Sequence, residues 1–147
     1  MNLLYVCTGN TCRSPMAEAV QKKIDRTMNV RSAGIYAHGG ESINPYAKQV
    51  LQEKGISIHH ESTTVTEELM EWADIVLTMT GSHKLLLSTY FPAYMDKCVT
   101  LMEYAKNKQN ALKLETYDIE DPFGQSISVY RQTLAQIEKF ISIISKE

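Results

Sequence analysis

The residues best suited to chemistry lie together in the segment CTGNTCRSP, at positions 7–15. Cys7 and Arg13 are separated by five residues, and a short apolar run at 3–6, typical of a buried strand, precedes them. A tight turn between a strand and a helix brings several backbone N–H groups toward one point, and the helix dipole adds positive potential there. The segment therefore predicts an anion-binding loop at residues 7–13, which we call the Cys7 loop.

Cys7 and Arg13 would allow this loop to act on a phosphoryl group. The planar guanidinium of Arg13 can hold two phosphate oxygens. Positive surroundings favour the thiolate form of a cysteine, so Cys7 is a candidate nucleophile. Gly9 can adopt the backbone angles of a tight turn, while Ser14 and Pro15 fit the N-cap and the first position of the following helix. The alternative, a structural cysteine beside a surface arginine, leaves this combination of residue types unexplained.

Short apolar runs alternate with helical patterns along the rest of the chain. Strands are expected at 3–6, 30–33, 74–79 and 99–101, and helices at 14–25, 44–54, from 66, 82–90 and 127–144. Asn44 and Pro45 mark the start of the second helix and Gly55 its end. This order predicts an α/β fold in which a parallel sheet carries helices on both faces. Such sheets bind ligands at the carboxyl ends of their strands, where the Cys7 loop is expected.

Length and composition exclude several classes of function. The 147 residues are expected to form a single domain, 1–147. A net charge of −2 provides no basic field for nucleic acid or an anionic membrane. We expect no secretion signal, and no apolar run approaches the roughly 20 residues of a membrane span. The three cysteines, an odd number, favour a reducing compartment over a disulfide framework. We therefore expect a cytoplasmic monomer that binds neither nucleic acid nor membranes.

The segment VCTGNTCRSPMAEA, together with Asp121-Pro122-Phe123 far downstream, resembles the low-molecular-weight protein-tyrosine phosphatase family. The resemblance extends over essentially the whole chain. It implies an α/β fold with a four-stranded parallel sheet, helices on both faces and the phosphate-binding loop after strand 1. It also implies a protein phosphatase that forms a phosphocysteine intermediate on Cys7, acts on phosphorylated proteins and uses no metal or other cofactor.

The resemblance implies supporting roles for residues around Cys7. Ser14 would hydrogen-bond the sulfur, and Asn10 would hold the loop in shape with help from Ser32 and His60. Taken alone, His60 is more simply a structural histidine. The substrate-binding residues are expected to be Thr8, Gly9, Asn10, Thr11, Cys12, Ser14 and Phe123.

The reaction also needs a proton donor for the leaving group, which a positioned side chain supplies with a gain of roughly 10²–10⁴-fold. Asp121 precedes Pro122, which biases it toward an extended conformation in a loop. From the residues alone, Asp118 and Glu120 are equal candidates, as is a solvated acidic loop without function. The resemblance selects Asp121 as the general acid.

Thr11 and Phe123 bear on the choice of substrate. Tyrosine-directed members of the family commonly have a bulky aliphatic residue where this chain has Thr11, and often two aromatic residues after the Asp-Pro pair, where this chain has Phe123-Gly124. The loop resembles that of the bacterial branch that dephosphorylates arginine in proteins. A buried guanidinium needs hydrogen-bond acceptors, which the Thr11 hydroxyl and the Asp121 carboxylate can provide. We expect phosphoarginine as substrate, with phosphotyrosine as the alternative.

The two remaining cysteines have different expected roles. Cys12 is either a small residue that fits a tight turn or a thiol that forms a reversible disulfide with oxidised Cys7, which would make the enzyme redox-sensitive. Cys98 lies at the start of an expected strand and is assigned to the core.

Two other classes of function are considered. Arsenate reductases share the fold and the loop, but their usual downstream pair of closely spaced cysteines is absent because Cys98 stands alone. A non-catalytic phosphoprotein-binding module would need only the anion-binding loop and Arg13. The presence of both Cys7 and Asp121 argues against it, since binding requires neither a nucleophile nor an acid.

Overall fold

The computed structural model describes residues 1–145. Four strands form one parallel sheet in the order β2-β1-β3-β4. The strands are β1 (Asn2–Cys7), β2 (Asn29–Gly34), β3 (Ile75–Thr78) and β4 (Cys98–Thr100). The helices are α1 (Arg13–Ile24), α2 (Pro45–Glu53), α3 (Glu67–Trp72), α4 (Gly81–Tyr90), α5 (Leu101–Lys108) and α6 (Ile127–Ile144), with a 3₁₀ turn at Pro92–Lys97. No helix within this range is long and apolar enough to cross a membrane.

The sheet is buried on both faces, which is why its central strand reads as a continuous apolar run. On β1, Leu3 and Tyr5 pack into one apolar cluster, formed with α1, α2, α5 and α6. Leu4 and Val6 pack into a second cluster, on the face covered by α3 and α4. The predicted α/β fold with helices on both faces of a four-stranded parallel sheet is confirmed.

Local sequence rules predicted most helix ends correctly. The side chain of Asn44 accepts hydrogen bonds from the backbone N–H groups of Tyr46 and Ala47, with Pro45 at the first position of α2. Gly55 follows this helix with a φ of 74°, in the left-handed region that glycine tolerates. Helix α6 spans the predicted residues, 127–144.

Several expected boundaries are off by one residue, as for the third strand, expected at 74–79 and found at Ile75–Thr78. Two of the differences change where a helix begins. Helix α1 begins at Arg13, with Cys12 as its N-cap, so Ser14 is not the cap and Pro15 occupies the third helical position. Proline is tolerated there because the first four N–H groups of a helix have no intrahelical partner. The fourth strand ends at Thr100 rather than at Leu101, and the missed helix α5 begins there.

Gly34, at the end of β2, packs directly against the backbone of the Cys7 loop. It pairs with Cys7 in the sheet. A Cβ atom at this position would lie 2.5 Å from the Thr8 carbonyl oxygen and 2.8 Å from the Asn10 nitrogen. Since both atoms belong to the backbone, no side chain could move aside to make room. Only glycine lets the loop approach the sheet this closely.

We expect Gly34→Ala to lower the free energy of unfolding by about 1–3 kcal/mol, the usual cost of forced overpacking. Because the displaced atoms belong to the Cys7 loop, binding of inorganic phosphate should weaken as well. Urea unfolding and isothermal calorimetry with phosphate measure the two effects. Gly39→Ala is the control, since a Cβ there has nothing within 4 Å. Equal stability and phosphate affinity for the two variants would contradict this account of Gly34.

Candidate active site

A pocket of about 230 Å³ opens at the carboxyl end of β1. Its walls combine the Cys7 loop with residues from the segment 109–126, between α5 and α6, which we call the Asp121 loop. The lining residues are Cys7, Thr8, Gly9, Thr11, Cys12, Arg13, Asp121 and Phe123. The other expected site residues do not line the pocket: Asn10 is buried within the Cys7 loop, and Ser14 and Ser32 are buried behind it. His60 is half-buried. The structure thus separates residues that face a ligand from residues that support the loop.

Ser14 connects Cys7 to the support behind the loop. Its Oγ lies 2.8 Å from the Cys7 sulfur and accepts a hydrogen bond of 2.9 Å from Nδ2 of Asn10. Because Asn10 occupies an acceptor site of the hydroxyl, the single hydrogen of Ser14 can be donated to the sulfur, which is closer than the other acceptor, the Ala33 carbonyl oxygen at 3.5 Å. A hydrogen bond donated to sulfur stabilises a thiolate. The N-cap rule failed at Ser14 because its side chain is directed at the Cys7 sulfur and not at the backbone N–H groups of α1.

Asn10 is fully buried and has a φ of 57°, which is uncommon for a residue other than glycine. Its Nδ2 donates to Ser14 and, at 2.9 Å, to Oγ of Ser32. Its Oδ1 accepts from the backbone N–H of Thr63 at 2.9 Å. The carbonyl oxygen of Asn10 accepts from Nε2 of His60 at 2.7 Å. Four hydrogen bonds thus hold one left-handed residue in place, and they include Ser32 and His60.

Glu18 extends this support and was not anticipated from the sequence. Its Oε1 accepts a hydrogen bond of 2.6 Å from the hydroxyl of Ser32. Ser32 therefore receives from Asn10 and donates to Glu18, so its orientation is determined from both sides. Glu18 lies in the middle of α1, where its charge reads from the sequence as an ordinary helix surface residue. Only the packing of α1 beside β2 reveals the contact.

Arg13 joins the Cys7 loop to the Asp121 loop. Although only 5% exposed, it has partners for its charge. Its Nη1 donates to the carbonyl oxygen of Ile119 at 3.0 Å, and its Nη2 lies 3.6 Å from Oδ2 of Asp121. The guanidinium thus lines the pocket while it holds the opposite wall in position.

Asp121 lies at the pocket mouth, with its side chain 58% exposed. Its Oδ1 accepts from the backbone N–H of Phe123 at 3.1 Å, which turns the chain so that both residues line the pocket. Within the described residues, the lining does not include the rival carboxylates Asp118 and Glu120. Asp118 instead accepts a hydrogen bond of 2.8 Å from the N–H of Gly81, at the start of α4.

Cys12 and Cys98 are both free thiols in buried surroundings. Cys12 lines the pocket, and its sulfur lies 3.5 Å from the hydroxyl of Tyr130. Burial raises the pKa of the Cys12 thiol, against the smaller lowering effect of hydrogen bonds from Tyr130 and Thr11. Burial also raises the pKa of Cys98, to about 11. Cys98 starts β4 inside the second apolar cluster, so its expected place in the core is confirmed.

His83 is a buried residue of the site that the sequence did not single out. Its Nε2 lies 2.9 Å from Oγ1 of Thr8, a lining residue. Burial lowers the pKa of His83 to about 4, and the nearby charge of Arg13 adds to this effect. The only signal in the sequence for the position of His83 was Thr80, a residue type that caps helices. The Thr80 hydroxyl accepts a hydrogen bond from the backbone N–H of His83, which places His83 in the first turn of α4.

Comparisons with known proteins identify the class to which this fold and pocket belong. Residues 2–146 match the family model described as low molecular weight phosphotyrosine protein phosphatase. The chain belongs to this family and is a phosphatase, as the sequence predicted.

The similar proteins within this family include phosphatases named for arginine and for tyrosine. The chain is 44% identical to a protein-arginine-phosphatase of Bacillus subtilis, over 100% of this chain and 96% of that protein. It is 38% identical to the low molecular weight protein-tyrosine-phosphatase PtpB of Staphylococcus haemolyticus, over 93% of this chain and 92% of that protein. A solved structure of the YwlE arginine phosphatase, a C7S mutant with a phosphorylated active site serine, superposes with a TM-score of 0.91 at 43% identity, covering 98% of this chain and 93% of that one.

The lowered pKa of His83 predicts how stability depends on pH. The ordinary pKa of histidine is 6.5, and that of folded His83 is about 4, so the unfolded chain binds more protons between these values. The contribution of neutral His83 to the free energy of unfolding is fully present above pH 6.5 and is lost as the pH falls toward about 4. His83→Gln should therefore lose about 2–3 kcal/mol less free energy of unfolding than wild type between neutral pH and about pH 4.

Urea unfolding at the two pH values measures this difference. The exposed His59 provides the control, and His59→Gln should retain the acid sensitivity of wild type. If His83→Gln and wild type lost equal stability on acidification, His83 would not be a neutral buried histidine in the folded protein.

Proposed function

We propose that this protein is a protein-arginine phosphatase, which removes the phosphoryl group from phosphoarginine through a phosphocysteine on Cys7. The observation that carries the proposal is the part of the pocket wall that would surround the leaving group. It combines the hydroxyl of Thr11, the carboxylate of Asp121 and one aromatic side chain, Phe123. The 44% identity to a protein named protein-arginine-phosphatase supports the same choice.

The Cys7 loop is suited to the first step. The Cys7 thiolate, stabilised by the Ser14 hydroxyl, attacks phosphorus and forms the S–P bond. The N-terminus of α1 and the Arg13 guanidinium hold the phosphoryl oxygens, whose charge they balance in the transition state. The phosphorylated active site serine in the structure of the C7S mutant of YwlE supports a covalent step of this kind.

Asp121 completes that step as general acid. As the P–N bond breaks, the leaving guanidine nitrogen takes the proton of the Asp121 carboxyl group. In the second step a water molecule attacks the phosphocysteine and gives its proton to the Asp121 carboxylate. The S–P bond then breaks, which releases phosphate and restores the thiolate. The location of Asp121 at the pocket mouth supports both transfers, because the leaving group and the water share this side of the phosphorus.

The pocket favours a guanidinium over a phenyl ring for a reason of hydrogen bonding. A guanidinium brings N–H donors, and each donor buried without an acceptor costs about 1–3 kcal/mol. Thr11 and Asp121 supply acceptors, and the exposed ring of Phe123 can stack on the planar group. A phenyl ring needs apolar walls instead. Phosphotyrosine is the second candidate, supported by the tyrosine-phosphatase name of the relative that is 38% identical.

We further infer that the enzyme acts as a monomer in the cytoplasm on phosphorylated proteins. Cys7, Arg13 and Asp121 meet in a pocket of a single chain, so the proposed chemistry needs no residue of a second copy. The three free cysteines fit a reducing compartment. Reversible protection of Cys7 by a disulfide to Cys12 stays a prediction, supported by the presence of both thiols in one pocket wall.

Asp121→Asn should lower kcat by roughly 10²–10⁴-fold, because it removes the proton donor while leaving the binding residues in place. Asp118→Asn and Glu120→Gln should change kcat only slightly. Steady-state kinetics on a phosphoarginine peptide measures all three variants. If Asp118→Asn proved the most damaging, the assignment of the acid would be wrong.

Thr11→Ile removes an acceptor and adds apolar bulk beside the leaving group. We expect kcat/KM for a phosphoarginine peptide to fall at least about tenfold, from the cost of an unpaired donor. For a phosphotyrosine peptide kcat/KM should be preserved or rise. The measurement compares both peptides, matched in sequence, with both enzymes. A wild-type preference for phosphotyrosine would refute the proposed substrate, and an equal loss on both peptides would assign Thr11 to packing alone.

A further inference from the structure

His83 contacts the Cys7 loop from helix α4. It lies in the first turn of α4, is 4% exposed, and contacts Thr8 with Nε2 at 2.9 Å. Among the residues described, it holds the one buried side-chain nitrogen or oxygen without a hydrogen-bond partner, namely Nδ1. A neutral histidine with one hydrogen-bonded and one unpaired ring nitrogen has a preferred tautomer. That tautomer determines whether His83 donates a hydrogen bond to the Thr8 hydroxyl or accepts one from it.

The hydrogen of neutral His83 belongs on Nε2. If it were on Nδ1, a buried N–H donor would have no acceptor, and orphaned N–H groups are rarer in proteins than unused acceptor sites. With the hydrogen on Nε2, only a lone pair of Nδ1 is unused. Burial, and to a smaller extent the positive charge of nearby Arg13, disfavours a second proton on the ring, and both lower the pKa of His83. His83 is then a donor to Thr8.

We propose that His83 is a positioning residue of the phosphatase site, which donates from Nε2–H to Oγ1 of Thr8 and thereby directs the Thr8 hydroxyl hydrogen into the pocket. A hydroxyl has one hydrogen and two acceptor sites. Because His83 occupies an acceptor site, the hydrogen points away from the imidazole, on the side where Thr8 lines the pocket. The Thr8 hydroxyl thus adds a side-chain donor to the backbone N–H groups that face the phosphoryl oxygens.

This donor matters for the reaction because its direction is set before substrate binds. A preorganised donor stabilises charge in the transition state without first having to reorient. Without His83, the Thr8 hydroxyl rotates freely, and its hydrogen can turn toward other acceptors. The inference rests on the phosphatase site and on the proposed phosphocysteine chemistry, but not on the choice of arginine over tyrosine.

The test is a double-mutant cycle on Thr8 and His83, with p-nitrophenyl phosphate as substrate. Thr8→Val removes the hydroxyl, and His83→Leu removes the donor that orients it. Each is expected to lower kcat/KM about three- to tenfold, from the loss of one hydrogen bond. If His83 acts through Thr8, adding His83→Leu to Thr8→Val causes no further loss. Independent, multiplying losses in the double variant would overturn the proposal.

A conservative variant separates positioning from packing. His83→Gln keeps an N–H donor and should recover most of the activity that His83→Leu loses. If the role of His83 were purely structural, the activity of both variants would fall in proportion to their loss of stability. Thermal unfolding shows whether either variant is folded. If His83→Leu does not fold, the decision rests on His83→Gln and Thr8→Val. Competitive inhibition by vanadate should weaken in Thr8→Val and stay near the wild-type value in His83→Gln.

The choice of substrates keeps this proposal distinct from the proposed function. His59→Leu, which removes an exposed imidazole, controls for loss of a histidine. Wild type that hydrolyses the aryl phosphate but not phosphoarginine would refute the proposed substrate and leave the His83 cycle measurable. Wild type that hydrolyses both, with kcat/KM unchanged by His83→Leu, would refute the role of His83 alone.

Discussion

The side-chain amide of Asn10 carries the hydrogen bonds on which the shape of the Cys7 loop depends. It connects Ser14, Ser32 and the backbone of Thr63 to one buried residue with a positive φ. Glycine would adopt this backbone angle more readily, but it could not bring the three partners together. Backbone strain at Asn10 and the burial of polar groups are unfavourable for folding, and the hydrogen bonds of the network offset both. Because Ser14 belongs to the same network, the support of the loop and the surroundings of the Cys7 sulfur cannot be altered independently.

Arg13 connects separate parts of the chain on the side of the pocket that faces a ligand, as Asn10 does behind it. A buried guanidinium needs acceptors, and the carbonyl oxygen of Ile119 supplies one from the Asp121 loop. The guanidinium that lines the pocket therefore also sets the distance between the two pocket walls. Thr8 and His83 add a third connection, from the loop to α4, and the N–H of Gly81 joins that helix to Asp118. The residues that line the pocket are thus held by elements that are distant in sequence.

Features encoded by neighbouring residues could be predicted from the sequence, whereas those created by packing could not. The alternation of apolar runs and helical patterns indicated the parallel sheet, and Asn44 and Gly55 marked the ends of α2. The cap rule failed at Ser14 because the rule considers only the helix, while the side chain is directed at a sulfur on the preceding strand. Helix α5 was missed although Thr100 and Glu103 form a capping box. No local pattern could reveal the roles of Glu18 and His83, because each contacts the loop only in the folded chain.

The bond between Arg13 and Ile119 joins residues 106 positions apart, and the contact between Cys12 and Tyr130 spans 118. During synthesis, Cys7 and Arg13 leave the ribosome long before the segment that closes the pocket has been translated. The early nascent chain therefore carries Cys7 without Asp121 and without the second wall of the pocket. Domains generally fold as units once enough chain is available. The pocket is consequently complete only after the segment through residue 130 is available to pack against the Cys7 loop.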